Sequence, residues 1–532
     1  MEVDYIELTK EIRKRLQRTW IYFFARFGKL TEIQIKAIPK ILDRKNLLIV
    51  SPTASGKTEA VVSPLIERLL EEDWSPVSIL YLAPTRALVN DIYLRLEAPL
   101  REIGLKCEYK HMDKPNINYN NLPDFLITTP ESLDSLICRH SDIFKNIKAV
   151  ILDEIHFIDN TYRGDHVRVL LNRLKKISKN FNIYLLSATI AAPEELGKRY
   201  IEDFEIVKSE KIRAIDYLIV KSDLELKDVI KSKKIKKILV FCNYRESVER
   251  IKQNFSDIFE NFTIFVHHGN LDRKFREEAE KILKDTKLAI CIATSTLEVG
   301  IDVGDIECVV IYEIPWSLFS LLQRVGRGNR NKDIIFSIGV ARNSEEEIFL
   351  KKMYDEAKRG LLPKEEYKPD YSVVVQQIFS MLYENSSGLY YDEIFELLKP
   401  ISDEIIFDKI INHLVAKNFI YQINGKYYLS VSLRDIGEKG KIHSNIPDSL
   451  EYEVIEQMSG SAIGKISGFV DKCFVLGGIP LKIISIDEFK KKIYVERIKG
   501  KYETAIFERK KNIGAFYKYL PDDLKVQISN IL

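Results

Sequence analysis

The stretch NLLIVSPTASGKTEA, residues 46 to 60, joins an apolar run to a helix-forming run through a short polar loop. The apolar run is rich in Leu, Ile and Val on both faces, as in a parallel strand that helices cover from both sides. The loop nearly matches the pattern G-x-x-x-x-G-K-[ST], with Ser51 in place of the first glycine. Backbone N–H groups of such a loop surround a phosphate at a helix N-terminus, where the helix dipole also favours anions. The stretch therefore predicts an α/β fold with a phosphate-binding loop.

The residue types in this loop indicate a site for a nucleoside triphosphate with Mg²⁺. The Lys57 ammonium can reach the β- and γ-phosphates, and the Thr58 hydroxyl can ligate Mg²⁺. Backbone N–H groups can wrap the β-phosphate at the start of the helix. We therefore expect the nucleotide to be bound also by Thr53, Ala54, Ser55 and Gly56.

A second run, AVILDEIHFID from residue 149 to 159, places two carboxylates at the end of an apolar strand. Asp153 is expected to hold Mg²⁺ directly or through water, and Glu154 to activate the attacking water. An acidic pair after a strand can also be a solvated strand end. The phosphate loop upstream, in a separate strand, favours the catalytic interpretation.

The alternation of apolar and amphipathic stretches indicates how the chain is organised. It runs over residues 20 to 200 and restarts after about 215, which predicts two consecutive α/β units with parallel sheets. From about 370, three helices followed by a hairpin with an Asn424-Gly425 turn resemble a winged helix. Short strands over 440 to 500 predict a small β domain with a helical tail. The expected domains are 1–205, 206–365, 366–435 and 436–532.

Composition limits the classes of protein. The formal net charge is +3 in a chain that is 30% charged, which excludes a polybasic tail but not a local basic groove. The N-terminus has no apolar signal region, and no apolar run approaches the ~18 residues of a membrane span. The six cysteines are scattered without a C-x-x-C pair, which argues against a zinc ribbon, a disulfide framework or an iron–sulfur cluster. We expect a cytoplasmic protein that does not associate with a membrane.

Ten ordered motifs across about 300 residues resemble those of the superfamily 2 helicases. In the first unit they are LTEIQIKAIP, SPTASGKT, APTRAL, TTPESL, DEIH and SAT. In the second unit they are LVFCNYR, HHGNLDRKFREEAEKILK, ATSTLEVGID and QRVGRGNR. The resemblance implies an α/β fold of two tandem RecA-like domains with parallel sheets, plus a winged helix and a small β domain. ATP and Mg²⁺ are the implied cofactors.

Within this superfamily the chain resembles the Lhr (large helicase-related) group, in a short form. The likeness is carried by DEIHFIDNTYRGDHVRVLLNRL, LSATIAAPEEL and STLEVGIDVGDIECVV in the motor units. In the C-terminal part it is carried by SNIPD and GKISGFVDKCFVLGGIPLKI. The loop QRVGRGNR departs from the usual superfamily pattern, because Asn329 stands where Gly is common. Asn tolerates left-handed backbone angles, so the turn is expected to form. This motif is also similar to that of CRISPR-associated Cas3 helicases.

The resemblance assigns the nucleotide-binding roles in both units. Gln34 would read adenine, and Gly300 and Asp302 would approach the nucleotide. The loop QRVGRGNR could hold a nucleic-acid backbone or reach a nucleotide phosphate. The family pattern favours the second option, with Arg327 and Arg330 as arginine fingers and Gln323 near the attacking water.

Nucleic acid is expected across the carboxyl ends of the strands, where open α/β sheets bind ligands. Most contacts would go to phosphates, so binding should be largely independent of sequence and sensitive to salt. His268 could instead be a packed or capping histidine, and Arg245 a solvated helix arginine. The candidate contacts are Thr85, Arg86, Thr129, Arg163, Asn243, Arg245, His268, Gly269 and Thr294.

The resemblance implies an ATP-dependent 3′-5′ DNA helicase that acts on single-stranded or tailed DNA in repair or recombination. An RNA or RNA–DNA hybrid helicase is one alternative, and contacts to the 2′-OH would distinguish it. The motor subunit of a CRISPR interference complex, or a non-unwinding remodelling ATPase, is another. A fused nuclease is not expected, because the eight histidines show no H-D cluster. The sequence is compatible with a monomer and identifies no protein partner.

The N-terminal segment carries Ile12, Leu16, Trp20 and Phe24 at a spacing of four. This spacing predicts an amphipathic helix whose apolar face packs on the first motor unit. A separate role in binding a partner is the alternative.

Overall fold

The computed structural model describes residues 2–52, 55–188, 190–209, 213–298, 305–329, 334–360, 362, 366–447, 451–467, 472–488, 490–503 and 513–529. The chain divides into two compact units, each made of separate segments. The first unit contains Met1–Glu210, Lys364–Asp448 and Lys511–Leu532. The second contains Lys211–Pro363 and Ser449–Lys510.

The first unit is built on a sheet of seven parallel strands in the order β3-β4-β2-β5-β6-β1-β7. The strands are short runs of Val, Ile and Leu, and their side chains are buried on both faces in the centre of the sheet. Their bounds are β1 (Leu47–Val50), β2 (Ile79–Leu82), β3 (Cys107–Lys110), β4 (Phe125–Thr128), β5 (Ala149–Leu152), β6 (Asn182–Ser187) and β7 (Glu205–Lys208).

Within the described part of this unit, eight α-helices precede or connect these strands. Their bounds are α1 (Glu2–Arg15), α2 (Trp20–Phe23), α3 (Glu32–Leu42), α4 (Lys57–Glu72), α5 (Arg86–Ile103), α6 (Pro130–His140), α7 (Tyr162–Ile177) and α8 (Pro193–Lys198). No helix in the described ranges is long and apolar enough to cross a membrane.

The apolar face predicted for the N-terminal segment is buried against the first unit, at Ile12, Leu16, Trp20 and Phe24. The segment is two helices rather than one, and the break has a specific partner. The buried carboxylate of Glu67 on α4 accepts hydrogen bonds from the backbone N–H groups of Arg18 and Thr19, at 3.0 and 2.9 Å. This carboxylate binds the N–H groups of the two residues that precede α2, and so holds the break between α1 and α2.

The second unit is built on a sheet of six parallel strands in the order β10-β11-β9-β12-β13-β8. The strands are β8 (Ala214–Val220), β9 (Lys237–Phe241), β10 (Thr263–His267), β11 (Ala289–Ala293), β12 (Cys308–Ile311) and β13 (Ile334–Val340). The helices are α9 (Asp223–Ser232), α10 (Arg245–Ile258), α11 (Arg273–Asp285), α12 (Leu318–Val325) and α13 (Ser344–Arg359). The prediction of two α/β units with parallel sheets is confirmed.

Three helices and a three-stranded antiparallel sheet follow, in the arrangement of a winged helix. The elements are α14 (Ser372–Glu384), β14 (Leu389–Tyr390), α15 (Tyr391–Leu398), α16 (Glu404–Ala416), β15 (Ile420–Ile423), β16 (Lys426–Leu429) and a further helix α17 (Val431–Glu438). The hairpin turn has positive φ at both Asn424 and Gly425, at 50° and 78°. This is the geometry that an Asn-Gly hairpin turn requires.

The last sheet is a small β domain with the strand order β18-β17-β21-β20-β19. Its strands are β17 (Tyr452–Glu456), β18 (Ala462–Ile466), β19 (Cys473–Leu476), β20 (Ile479–Asp487) and β21 (Lys492–Arg497), and the helix α18 (Asp522–Ser529) follows. Its buried face shares one hydrophobic core with the second parallel sheet. The β domain therefore belongs to the second unit.

Two boundaries differ from the expected positions. The strand β7 pairs with β1, so the first sheet continues beyond residue 205. The tail packs on the winged helix and not on the β domain, because Phe516, Leu520 and Leu524 enter the core that contains α14 and α16. Both differences arise from contacts with residues far away in the chain, which local patterns do not reveal.

A buried carboxylate attaches the winged helix to the first sheet and its helices. Asp134 on α6 accepts hydrogen bonds from Arg173 on α7 at 2.9 Å and from Ser380 and Gln377 on α14, each at 2.5 Å. Burial alone would raise the pKa of Asp134, but Arg173 and hydrogen bonds from His166 and His443 hold it well below its usual range. The carboxylate therefore stays charged, and it orders the contact between α6 and α14.

Candidate active site

The phosphate loop lies between β1 and α4, as the sequence predicts. Gly56 has a φ of 84°, a left-handed conformation that suits glycine, and α4 begins at the next residue. The Lys57 ammonium is buried and donates hydrogen bonds to the carbonyl oxygens of Ser51 at 2.7 Å and Pro52 at 3.2 Å. These carbonyls hold the ammonium at the loop, where a phosphate would offer it stronger acceptors.

The same loop contains hydroxyl groups that suit a polar ligand. The Oγ atoms of Ser51 and Ser55 are buried and have no hydrogen-bond partner among the described residues. Buried polar atoms are rarely left unsatisfied in native proteins, so these two hydroxyls suit a polar ligand or water. Thr53 and Ala54, which were also expected to bind the nucleotide, lie outside the described residues.

Gln34 contacts the phosphate loop directly. Its Oε1 accepts a hydrogen bond from the backbone N–H of Thr31 at 2.9 Å, and its Nε2 donates to the Gly56 carbonyl at 3.3 Å. A Cβ atom at Gly56 would lie only 2.4 Å from the Gln34 Nε2. The close approach of the Gln34 side chain to the loop therefore requires a glycine at position 56. Gln34 contacts the loop backbone in addition to its expected contact with adenine.

The acidic pair follows β5, at the same edge of the sheet as the phosphate loop. The backbone N–H of Glu154 donates to Asp153 Oδ1 at 2.9 Å, and Glu154 has a left-handed φ of 44°. The Tyr81 hydroxyl at the end of β2 donates to Asp153 Oδ2 at 2.7 Å. Both carboxylates are buried. Tyr81 has no predicted role from the sequence, because a strand tyrosine is ordinarily a core residue.

Burial, followed by the neighbouring Glu154 carboxylate, raises the pKa of Asp153 to about 7. A divalent cation would offset this excess of negative charge. The Thr58 hydroxyl and the Asp153 carboxylate are both hard oxygen ligands, the type that Mg²⁺ prefers, and the Tyr81 hydroxyl interacts with both residues. The residues present therefore fit a Mg²⁺ ion.

His156 links the acidic pair to the end of β6. Its Nδ1 accepts a hydrogen bond from the Ala188 backbone N–H at 3.1 Å and lies 3.2 Å from the Ser187 hydroxyl. Its Nε2 is 3.5 Å from Glu154. Burial lowers the pKa of His156 to about 4, so the imidazole is neutral near pH 7. The residue connects the DEIH and SAT motifs, although Thr189 of the SAT motif lies outside the described residues.

Thr85 and Thr129 are the N-caps of α5 and α6, and each hydroxyl accepts a backbone hydrogen bond of its own helix. Arg86 is exposed and forms an ion pair with Asp113 at 2.7 Å. Helix N-termini of this kind can bind nucleic-acid phosphates through their remaining N–H groups.

Arg163 is already engaged within the first unit. It donates to both carboxylate oxygens of Glu131, at 2.7 and 3.0 Å, and to the Pro84 carbonyl. Its guanidinium therefore joins the loop before α5 to the start of α6. The expected contact with nucleic acid stays a prediction, and the structure shows a bridge between two loops that are expected to make such contacts.

In the second unit, the buried Glu298 joins three motifs. Its carboxylate accepts hydrogen bonds from Arg324 Nε at 2.6 Å and from the Ser320 hydroxyl at 3.1 Å. Arg324 also donates to Asn243 Oδ1 at 2.9 Å, and the Arg327 guanidinium donates to the Glu298 carbonyl. The sequence did not indicate roles for Glu298 and Arg324. The motif itself could have pointed to Arg324, because this residue is the one arginine of QRVGRGNR for which no role was predicted.

Gln323 and Arg327 are both buried next to this cluster. The Gln323 Oε1 has no hydrogen-bond partner among the described residues. Asn329 has a φ of 44°, the left-handed angle expected for this residue. Three predicted nucleotide contacts, Gly300, Asp302 and Arg330, lie outside the described residues.

His268 differs from its predicted role as a contact for nucleic acid. Its side chain is 0% exposed, and its Nε2 lies 2.8 Å from the Glu249 carboxylate. It is therefore the packed histidine of the alternative interpretation, because Glu249 holds it inside the unit. Gly269 beside it is exposed, and Thr294 follows β11 at the same sheet edge. Arg245 begins α10 and is half-buried.

A cationic cleft continues this edge of the second sheet. It has a volume of about 250 Å³. Its charged lining residues are Lys221 after β8, Asp223 at the start of α9, Arg250 of α10 and Arg342 after β13, and Tyr312 after β12 donates a hydrogen bond to Asp223 at 2.7 Å. Lys221 forms an ion pair with Glu347 at 3.1 Å, whereas Arg250 and Arg342 form no ion pair among the described residues. One edge of the sheet therefore carries both groups of residues. The candidate contacts follow β9, β10 and β11, and lining residues of the cleft follow β12, β13 and β8.

Two family models match the chain. The model for the DEAD/DEAH box helicase matches residues 31–196, and the model for the helicase conserved C-terminal domain matches residues 211–332. The first match covers most of the first sheet and its helices, and the second covers most of the second sheet.

Several curated proteins are similar in sequence. An ATP-dependent helicase Lhr-Core of Methanocaldococcus jannaschii is 30% identical over 89% of this chain and 62% of its own length. The Lhr-Core helicase of Sulfolobus acidocaldarius is 32% identical over 58% of this chain and 40% of its own length. A probable ATP-dependent RNA helicase of Methanocaldococcus jannaschii is 31% identical over 57% of this chain and 83% of its own length. The chain thus spans 40 to 62% of these two Lhr-Core relatives.

Two solved structures share the fold. One is Mycobacterium smegmatis helicase Lhr bound to ssDNA and AMP-PNP, with a TM-score of 0.71 and 23% identity, covering 81% of this chain and 62% of that one. The other is the DUF1998 helicase MrfA bound to DNA, with a TM-score of 0.74 and 21% identity, covering 92% of this chain and 70% of that one.

Proposed function

Because the chain belongs to the DEAD/DEAH box helicases of superfamily 2, we propose that it is an ATP-dependent motor that unwinds nucleic acid. The proposed track is DNA, with loading on a single strand and movement from 3′ to 5′ in repair or recombination. The observation that supports ATP turnover best is the position of Lys57 and the Asp153–Glu154 pair at one edge of one sheet.

The first unit would bind ATP and begin its hydrolysis. Lys57 would leave the carbonyls of Ser51 and Pro52 for the β- and γ-phosphates, and the loop backbone would surround the β-phosphate. Thr58 and Asp153 would hold Mg²⁺, which, when bound, offsets the negative charge of the phosphate oxygens. Glu154 would accept a proton from the attacking water.

The second unit is proposed to contribute positive charge to ATP hydrolysis. Arg327 and Arg330 are proposed to stabilise the γ-phosphoryl group, and Gln323 to orient the water. Buried Glu298 fixes the orientation of α12 through Arg324, so Gln323 is held on an ordered helix. Gly300 and Asp302 are proposed as further contacts with the nucleotide.

The similar solved structures favour DNA as the track. The similar Lhr structure contains ssDNA and the similar MrfA structure contains DNA. The edge of the second sheet that carries the candidate contacts also carries a cleft with Lys221, Arg250 and Arg342, which suits the phosphate backbone of DNA and RNA alike. RNA is the second candidate, because one relative is named as a probable RNA helicase.

We expect single-stranded DNA to raise the rate of ATP hydrolysis many-fold, and more than single-stranded RNA of the same length. The reason is that nucleic acid bound to the predicted contacts is proposed to favour the conformation that hydrolyses ATP. The measurement is steady-state ATPase activity, paired with unwinding of duplexes that carry a 3′ tail, a 5′ tail or no tail. Equal stimulation by RNA would contradict DNA preference, and equal unwinding from a 5′ tail would contradict the proposed polarity.

Replacing Tyr81 by Phe tests the proposed Mg²⁺ site. The change removes only the hydroxyl that binds Asp153 at 2.7 Å, and the aromatic ring can keep its packing. Partners that orient a metal ligand typically contribute 10–100-fold to metal affinity or activity. The Mg²⁺ concentration for half-maximal ATPase activity should therefore rise about 10-fold or more. The exposed Tyr421→Phe is the control, and an unchanged Mg²⁺ dependence of Tyr81→Phe would contradict this role.

A further inference from the structure

The loop between β10 and α11 is joined to the β domain by main-chain hydrogen bonds. The Asn270 carbonyl accepts a hydrogen bond from the Lys465 backbone N–H at 2.7 Å, and the Asp272 backbone N–H donates to the Ile463 carbonyl at 2.8 Å. The Asn270 side chain adds a hydrogen bond to the Lys465 carbonyl at 2.9 Å. Residues 268 to 272 thus continue the edge of the small sheet beyond β18.

This approach requires a glycine in β18. A Cβ atom at Gly464 would lie 2.4 Å from the Asn270 carbonyl oxygen and 3.2 Å from the Leu271 Cα. Both clashing atoms belong to the backbone, so a side chain at Gly464 would displace the loop. Leu271 also packs in the core that contains Ile463 and Phe474. The position of the loop is therefore set by the β domain as well as by β10.

A single carboxylate makes the second connection. Glu249 on α10 is 0% exposed and accepts hydrogen bonds from the backbone N–H groups of Gly477 at 2.6 Å and Gly478 at 2.5 Å. The same carboxylate binds the His268 Nε2 at 2.8 Å. Lys252, one turn further along α10, donates to the Gly478 carbonyl at 3.1 Å. Glu249 thus joins the β19–β20 turn to the first residue of the loop.

We infer that the β domain is a brace that positions the loop 268–272 for nucleic acid, and that Glu249 is the positioning residue of this brace. This inference rests on the proposed function, because it requires the loop to face the track through exposed Gly269. His268 holds the loop from inside the unit and does not touch the track itself. Loss of the brace should therefore weaken the response to nucleic acid while turnover of ATP alone persists.

Two variants and a matched control test the brace. Gly464→Ala forces the loop from the small sheet, and Glu249→Gln keeps the shape but removes the charge that binds two N–H groups and His268. Asp257→Asn is the control, since Asp257 is a carboxylate on the same helix whose ion pair with Lys501 is exposed. Exposed pairs of this kind contribute little.

The measurements are the single-stranded DNA concentration for half-maximal ATPase stimulation, the kcat and KM for ATP without DNA, and hydrogen exchange of the amides in residues 267–272. For Gly464→Ala and Glu249→Gln we expect a rise of about 10-fold or more in the DNA concentration, the size produced by about 1.4 kcal/mol of lost binding. We expect kcat and KM without DNA within about twofold and faster exchange in the loop, whereas Asp257→Asn should match the wild type.

An unchanged DNA concentration in both variants would overturn the brace, and so would an equal fall of turnover with and without DNA. A wild type that no nucleic acid stimulates would overturn the proposed function instead. In that case the hydrogen-exchange experiment still tests whether the β domain holds the loop 268–272. Equal exchange rates of the loop amides in Glu249→Gln and Asp257→Asn would overturn this connection. The two failures are therefore distinguishable.

Discussion

Glu154→Gln is expected to lower ATP turnover by about 10²–10⁴-fold, the usual contribution of a positioned general base. The amide keeps the size of the carboxylate, so Lys57 and the phosphate loop should still bind ATP. A neutral amide cannot accept the proton of the attacking water at a useful rate. The measurements are the steady-state kcat and the affinity for a fluorescent ATP analogue.

The control is Glu71→Gln, which makes the same change of charge at an exposed position near the end of α4. It should keep wild-type turnover. Wild-type turnover in Glu154→Gln would remove Glu154 as the base. A loss of nucleotide binding in Glu154→Gln, equal to its loss of turnover, would also contradict the assignment, since it would mean that Glu154 holds the nucleotide rather than activating water.

Arg327→Ala is expected to lower kcat for ATP by about 10³-fold or more, because arginine fingers contribute about 10³–10⁵ to phosphoryl transfer. The effect should fall on kcat rather than on KM for ATP, since the positive charge is needed mainly in the transition state. Single-turnover hydrolysis and equilibrium binding of ATP separate the two quantities.

Arg359→Ala is the matched control, because Arg359 is an exposed arginine at the end of α13 in the same unit. The buried Arg327 also donates to the Glu298 carbonyl, so its loss can lower stability as well as kcat. The melting temperatures of Arg327→Ala and Arg327→Lys should therefore be compared. If Arg327→Ala weakened DNA binding but kept kcat, its guanidinium would face the track and the finger role would be wrong.

The elements that the sequence predicts well are those with local causes. The phosphate loop needs only a strand, a Gly-Lys-Thr run and a helix within 15 residues, and all three are present in order. The Asn424-Gly425 turn follows from the backbone freedom of two adjacent residues. The burial of Leu16 and Phe24 agrees with the spacing of four, although the chain breaks between α1 and α2 instead of forming the single predicted helix.

The contacts that the sequence did not reveal join residues that are distant in the chain. Arg324 meets Asn243 across 81 positions, and Glu249 meets Gly478 across 229. Each partner alone is an ordinary charged or small residue, and only the fold brings them together. The misassigned role of His268 has the same cause, because the carboxylate that buries it lies on a different helix.

The two units are interleaved along the chain, which passes between them four times, near residues 210, 363, 448 and 510. This order affects how the protein can be made. Domains usually fold one after another as they leave the ribosome. Here the core around Phe379 must wait for Phe516 and Leu520, and the second sheet must wait for the strands after residue 451. The core around the winged helix and the core of the second sheet therefore stay incomplete until late in translation, and their apolar residues stay exposed until then.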